Sequence, residues 1–166
     1  MLEQLKEYIK KRFADEFAAQ GHHLTGAAEE SVSFNEAIND NRRSLEVLAN
    51  YYVVYVDKGV KPSEIKSPYA PARIDGLTRY WKMRRGLNDK DAKRAAYATA
   101  TKHAQEGMPT RNSERYSSTG KRTGFTLAMT GSKDIDKMGE LIREEIYTKI
   151  DTQIVNLVQA TNKKIR

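Results

Sequence analysis

The chain has 166 residues, no cysteine and a formal net charge of +7, with a pI near 9.5. Its length suits one domain with a real core, and the missing cysteines exclude disulfides, thiolate catalysis and a Cys-bound zinc. The opening Met-Leu-Glu-Gln-Leu-Lys-Glu has no signal-peptide core, and no apolar run nears the ~20 residues that span a bilayer, so a soluble protein without membrane contact is expected.

Leu2, Leu5, Ile9, Phe13 and Phe17 recur at helical spacing, which predicts an amphipathic helix ending near Gln20-Gly21. His22 to Gly26 reads as a loop, with Gly21 as the helix cap. Val32, Phe34 and Glu36 alternate, as do Leu45, Val47 and Ala49, and Asn39-Asp40-Asn41 lies between them. This is the pattern of a β-hairpin. The apolar run Tyr51–Val56 fits either a buried strand or a short helix. Tyr51, Tyr52 and Tyr55 within it are expected to support the core or a subunit interface.

Pro62, Pro68 and Pro71 punctuate a loop. Helical character returns at Ile74, with an apolar stripe of Leu77, Tyr80, Trp81 and Met83 up to Gly86. Asn88 or Asp89 can cap the next helix, whose alanines imply close packing and which ends at Gly107-Met108-Pro109. Thr110 to Gly124 is polar, basic and aperiodic, so an exposed, mobile loop is expected. Phe125, Leu127 and Met129 alternate as in a short strand. From Ser132 or Asp134 a last helix carries a continuous stripe through Ile146, Ile150 and Ile154 to Ile165. Its ~45 Å length exceeds a domain of this size, so the stripe must meet the first helix or another subunit. The fold class is therefore α+β, a small antiparallel sheet flanked by helices, with long amphipathic helices at both ends.

Chemistry-bearing motifs are sparse. His22, His23 and His103 are the only histidines and show no metal-binding spacing. Adjacent acids such as Glu29-Glu30 and Glu144-Glu145 have no partnered histidine, and Gly120-Lys121-Arg122-Thr123-Gly124 lacks the upstream glycine and strand of a phosphate loop. No catalytic, metal or cofactor-binding residue is therefore nominated. Basic residues cluster at Arg73, Arg79, Lys82, Arg84, Arg85, Lys90, Lys93 and Arg94, and again at Arg111, Arg115, Lys121 and Arg122. The last four are the candidate contacts, to DNA or to an acidic protein surface.

The order of signals resembles the tail-completion (neck) proteins of long-tailed bacteriophages. The resemblance is carried by four stretches: Leu24-Thr25-Gly26 before Ser31-Val32, Tyr51-Tyr52-Val53-Val54-Tyr55-Val56-Asp57-Lys58-Gly59, Trp81 with Arg85-Gly86, and Glu106-Gly107-Met108-Pro109-Thr110. It covers roughly residues 1–130. Val60 stands where that family usually has Thr, and the proline segment is shifted toward Pro-Tyr-Ala-Pro. The resemblance implies a non-enzymatic virion component without cofactor, made in the host cytoplasm. It implies copies in a ring at the head–tail junction around the DNA channel, joined to portal or adaptor and to tail-tube or terminator proteins. The alternative reading from charge alone is a standalone basic nucleic-acid-binding module.

Overall fold

The computed structural model describes residues 2–39 and 42–164. Seven helices and one hairpin follow in the order α1 (Glu3–Ala19), α2 (Ala27–Glu30), β1 (Ser33–Asn39), β2 (Arg42–Leu48), α3 (Tyr52–Lys58), α4 (Pro71–Arg85), α5 (Asp89–Glu106), α6 (Phe125–Ala128) and α7 (Ser132–Lys164). Short 3-10 turns lie at Pro62–Glu64 and Arg111–Tyr116. The fold is α+β: the antiparallel β1–β2 pair is the whole sheet among the described residues.

The hairpin register matches the sequence pattern, with Phe34 opposite Val47 and Glu36 opposite Leu45. The Asp40-Asn41 part of the expected turn lies outside the described residues. Glu36 reaches Lys6 of α1, so this face of the hairpin leans on the first helix.

The main core gathers around Phe125. Phe13, Phe17, Ala28, Val32 and Val53 surround it, with Phe34, Val56 and Met129 at the edge. Phe125 has no solvent exposure. Its ring stands edge-on to Phe13 and Phe17, with centroids 5.4 and 5.5 Å away. Such T-shaped pairs set the positive ring edge against the negative face of the neighbour. The alternation at Phe125, Leu127 and Met129 predicts a strand, but the segment is the helix α6. The reason is local: Gly124 takes a left-handed conformation, and the Asp57 carboxylate accepts from the Thr126 amide at 3.0 Å and its hydroxyl at 2.6 Å. These bonds satisfy the first turn of a helix that no strand partner competes for.

Tyr51–Val56 resolves in favour of a helix. α3 buries Val53 and turns its tyrosines outward. Tyr51 and Tyr55 are 79% and 55% exposed and Tyr52 is marginally exposed, so the core reading of these three residues is corrected. A helical turn can direct only one side of this run at Phe125, and the valine takes that place.

A second core joins α4 and α5. Ile74, Leu77 and Trp81 pack on Ala96 and Ala100. Ala92, Ala96 and Ala100 repeat every four residues and are wholly buried, so α4 can approach α5 closely. Trp81 donates to the Thr99 hydroxyl at 2.9 Å, and Asn88 caps α5 by accepting from the Asp91 amide. α4 begins at Pro71 rather than at Ile74, because proline is pre-organised for a first helical position. Met83 is half exposed and leaves the expected stripe.

The two cores are stitched by a backbone bridge, with Val60 and Met108 exchanging amide bonds of 2.7 and 2.8 Å. Gly59 and Gly107 flank it at positive φ, and a Cβ at either would sit within 2.7 Å of a facing carbonyl oxygen. Only glycine allows that approach.

α7 runs antiparallel to α1. Asp134 accepts from Arg12 Nε and from the Tyr8 hydroxyl at 2.7 Å each, and Glu145 accepts from the Leu2 amide at 2.6 Å. Leu141 is buried between these ties. Replacing Phe125 by Ala should cost about 3–5 kcal/mol, since a buried ring leaves a cavity as well as lost burial. Denaturant unfolding of the F125A variant against the parent measures it, and a loss under about 1 kcal/mol would show that the ring is not the centre of the core.

Candidate functional site

The positive charge of the chain is confined to one stretch. Residues 71–124 hold 13 Lys and Arg against 5 Asp and Glu, a net +8, so the remainder carries −1 of the total +7. α4, α5 and the segment that follows them therefore form the basic side of the molecule.

The segment 110–124 is not the free loop its composition predicts. Residues 111–116 form a 3-10 helix, and the rest is tied to α1. The Ser118 amide donates to the Ala19 carbonyl at 2.8 Å, and the Ser117 and Ser118 hydroxyls donate to the same oxygen. Arg122 donates to the Gly21 carbonyl at 3.3 Å, while its own carbonyl lies 2.9 Å from His22 Nε2. The Gly124 amide closes the segment on the Asp57 carbonyl. The polar residues that look aperiodic thus satisfy the carbonyls left open at the end of α1.

These ties sort the four expected contact residues. Arg111, Arg115 and Lys121 are exposed. Arg122 is half-buried and its role as a surface contact is corrected: it braces the segment. Burial, chiefly, and the nearby Arg84 charge hold its pKa below the usual arginine value.

The fold also adds residues from α4. The last turn of α4 meets the segment at Arg85, which bonds the Tyr116 phenol, while Arg84 donates to the His23 carbonyl at 3.4 Å. Arg115 donates to the Tyr116 hydroxyl at 2.8 Å, and its guanidinium carbon sits 4.9 Å from that ring's centroid. Hydrogen bonds from Arg115 and then Arg85 pull the Tyr116 phenol below its ordinary pKa. Arg85 and Arg115 so converge on Tyr116, with Arg84 and Arg122 beside them. None of the four forms an ion pair among the described residues, in contrast to Arg12 with Asp134 and Lys82 with Asp89. Arg84 and Arg85 are visible in the sequence only as two of eight basic residues on adjoining helices; nothing local marks Arg85 as the one that meets Tyr116 or Arg84 as the one that meets His23.

Other basic residues of that group serve the fold. Arg73 reaches the end of α5, where it donates to His103 Nδ1 at 3.2 Å and to the Met108 sulfur. Among the described residues, no group of three or more His, Asp or Glu converges to hold a metal ion. No helix among them is long and apolar enough to cross a membrane.

The other sequence-nominated residues lie away from this cluster. Ile146, Ile150 and Ile154 are 51, 46 and 53% exposed, which removes the core reading for them. The stripe and the docked face of α7 are different faces. At about 100° per residue, Asp134, Leu141 and Glu145 point to α1, and Ile146, Ile150 and Ile154 lie about 160° round the helix.

Two histidines make the stability of the fold depend on pH. Burial, aided by the charge of Arg122, lowers the His22 pKa to about 4. Burial, aided by Arg73, does the same to His103, also to about 4. Between about pH 6.5 and 4 the unfolded chain takes up these protons and the folded chain does not, so stability falls as pH falls through that window. The effect per histidine should be on the order of 1–2 kcal/mol, as partial exposure screens the remainder. Denaturant midpoints at several pH values should drop across the window, and a His22→Gln variant should show a flatter profile than the parent; an unchanged profile would count against the burial of neutral His22. Comparison of the chain with protein-family models, curated proteins and solved structures gives no match.

Proposed function

We propose that this chain is a structural assembly subunit, one of several copies in a phage neck or tail-completion ring around the DNA channel. The observation that supports it most is the solvent-exposed apolar stripe of α7 at Ile146, Ile150 and Ile154. Glu145 marks the level at which α1 begins, and α7 continues beyond Thr148 for about 16 residues, or ~24 Å. Ile146, Ile150, Ile154 and Val158 are 46–53% exposed along that extension. An isolated helix of this length is marginal in water, and each apolar side chain buried adds about 1.5–3 kcal/mol. The extension gains that stabilisation when a neighbour covers it.

A second copy of the chain suits that role. Ile135, Ile146 and Leu157 recur at eleven-residue spacing, which keeps one face in line along a nearly straight helix. Residues 132–145 hold five Asp and Glu against three Lys and Arg, whereas 152–166 hold three basic residues and no acid. Staggered neighbours can therefore set the acidic half of one helix near the basic end of the next. In such a ring the exposed tyrosines of α3 are a further subunit surface. The arginine cluster faces either the DNA or an acidic neighbouring ring of portal, adaptor, tail-tube or terminator protein.

The arginine cluster also favours a second reading, a standalone nucleic-acid-binding module that acts as a monomer or dimer. The two are separated in particles. Virions assembled without the chain should lack a finished neck in electron micrographs and fail to infect; complete, infectious particles lacking it would sink the neck reading. In particles that carry an Ile150→Glu/Ile154→Glu variant, incorporation should fall by at least tenfold while its circular dichroism and melting stay near those of the parent. Normal incorporation of that variant would remove α7 as the assembly surface.

A further inference from the structure

We propose that Arg85 and Arg115, grouped at Tyr116, with Arg84 beside them and Arg122 bracing the segment, form a binding site for the phosphodiester backbone of duplex DNA. The inference deepens the reading above by choosing DNA over an acidic protein as what the basic side meets, and it does not depend on ring formation.

Three observations carry it. The first is convergence: Arg115 holds the Tyr116 phenol through a 2.8 Å hydrogen bond and a 4.9 Å guanidinium–ring contact, Arg85 from the end of α4 bonds the same phenol, and Arg84 is tied nearby to the His23 carbonyl. The second is lack of compensation. Among the described residues these arginines have carbonyl and phenol partners but no ion pair, so their charge is not spent inside the fold. Glu114 is the single carboxylate of the 110–124 segment. Like charges held together cost energy that an anion recovers.

The third is the residue type and its support. Guanidinium offers a planar fork that matches phosphate oxygens two at a time, and a neutral phenol beside it can donate to sugar or phosphate. The support is rigid because Ser117, Ser118 and Arg122 fasten the segment to the end of α1. Gly21 permits this, since a Cβ there would lie 2.2 Å from the Tyr116 carbonyl oxygen and 2.7 Å from Arg122. A fixed array of cations suits the regular phosphate spacing of a duplex, whereas acidic protein surfaces present carboxylates on flexible stems. No base-reading element accompanies the cluster, so binding should be independent of sequence.

The test is fluorescence anisotropy of the full chain with a mixed-sequence duplex of about 30 base pairs over a salt series. Each phosphate contact contributes about −0.9 to the slope of log K against log salt. The parent should bind with a steep slope. Arg85→Ala/Arg115→Ala should weaken binding at least tenfold at low salt and flatten the slope by about 2. Lys10→Ala/Lys11→Ala removes the same charge from the exposed side of α1 and should leave the slope nearly unchanged. Arg85→Lys/Arg115→Lys should retain part of the affinity, as charge stays and the fork is lost. Melting curves verify that each variant folds. Equal losses for the arginine and lysine pairs would reduce the effect to net charge and overturn the site. Binding to polyglutamate, but not to duplex, that depends on Arg85 and Arg115 would overturn it in favour of an acidic protein partner. Either failure leaves the neck reading standing, because particle completeness and incorporation are read separately.

Discussion

Most of the molecule depends on how Phe125 is delivered to α1. The ring fills the space beside Phe13 and Phe17, and the chain must reach that point from the far end of α5. Three ties bring it there: the Val60–Met108 bridge, the Ser117 and Ser118 bonds to Ala19, and the closure of Gly124 on Asp57. Each spends backbone polar groups that burial would otherwise leave unpaired. The same route sets the arginine cluster on the last turn of α4 and launches α7 back along α1.

Charge and fold are coupled at two places. Arg122 and Arg73 lie half-buried, each beside a histidine kept neutral by burial and by that arginine. Their guanidinium groups hold loops to helix ends, where the negative end of the dipole favours a cation. Arg84, Arg85 and Arg115 form no ion pair among the described residues. A composition-level count of basic residues mixes these two populations, and only their partners separate them.

α7 divides its work lengthwise and around its axis. One face of its first half docks on α1 through Asp134, Leu141 and Glu145. The isoleucine stripe turns elsewhere and continues past the end of α1. A helix that stays apolar on an exposed face beyond its own domain is stable in a setting that covers it.

The amino-acid sequence by itself determined the helices, whose apolar spacing and caps are local: α1, α5 with Asn88 and Gly107, and the long α7. It also determined the hairpin, through period-two alternation, and hence the α+β class. Tertiary structure decided the short elements. Tyr51–Val56 and Phe125–Met129 are too brief for periodicity to choose between strand and helix, and packing at Phe125 and the Asp57 cap chose helix. It also decided the candidate site. Arg115 was legible as an exposed cation of a basic segment, but Arg122 was turned inward by the open carbonyl at Gly21. Arg84 and Arg85 joined Arg115 across some thirty residues of chain. Such meetings depend on which carbonyls and side chains the fold leaves unpaired, and no local pattern records that.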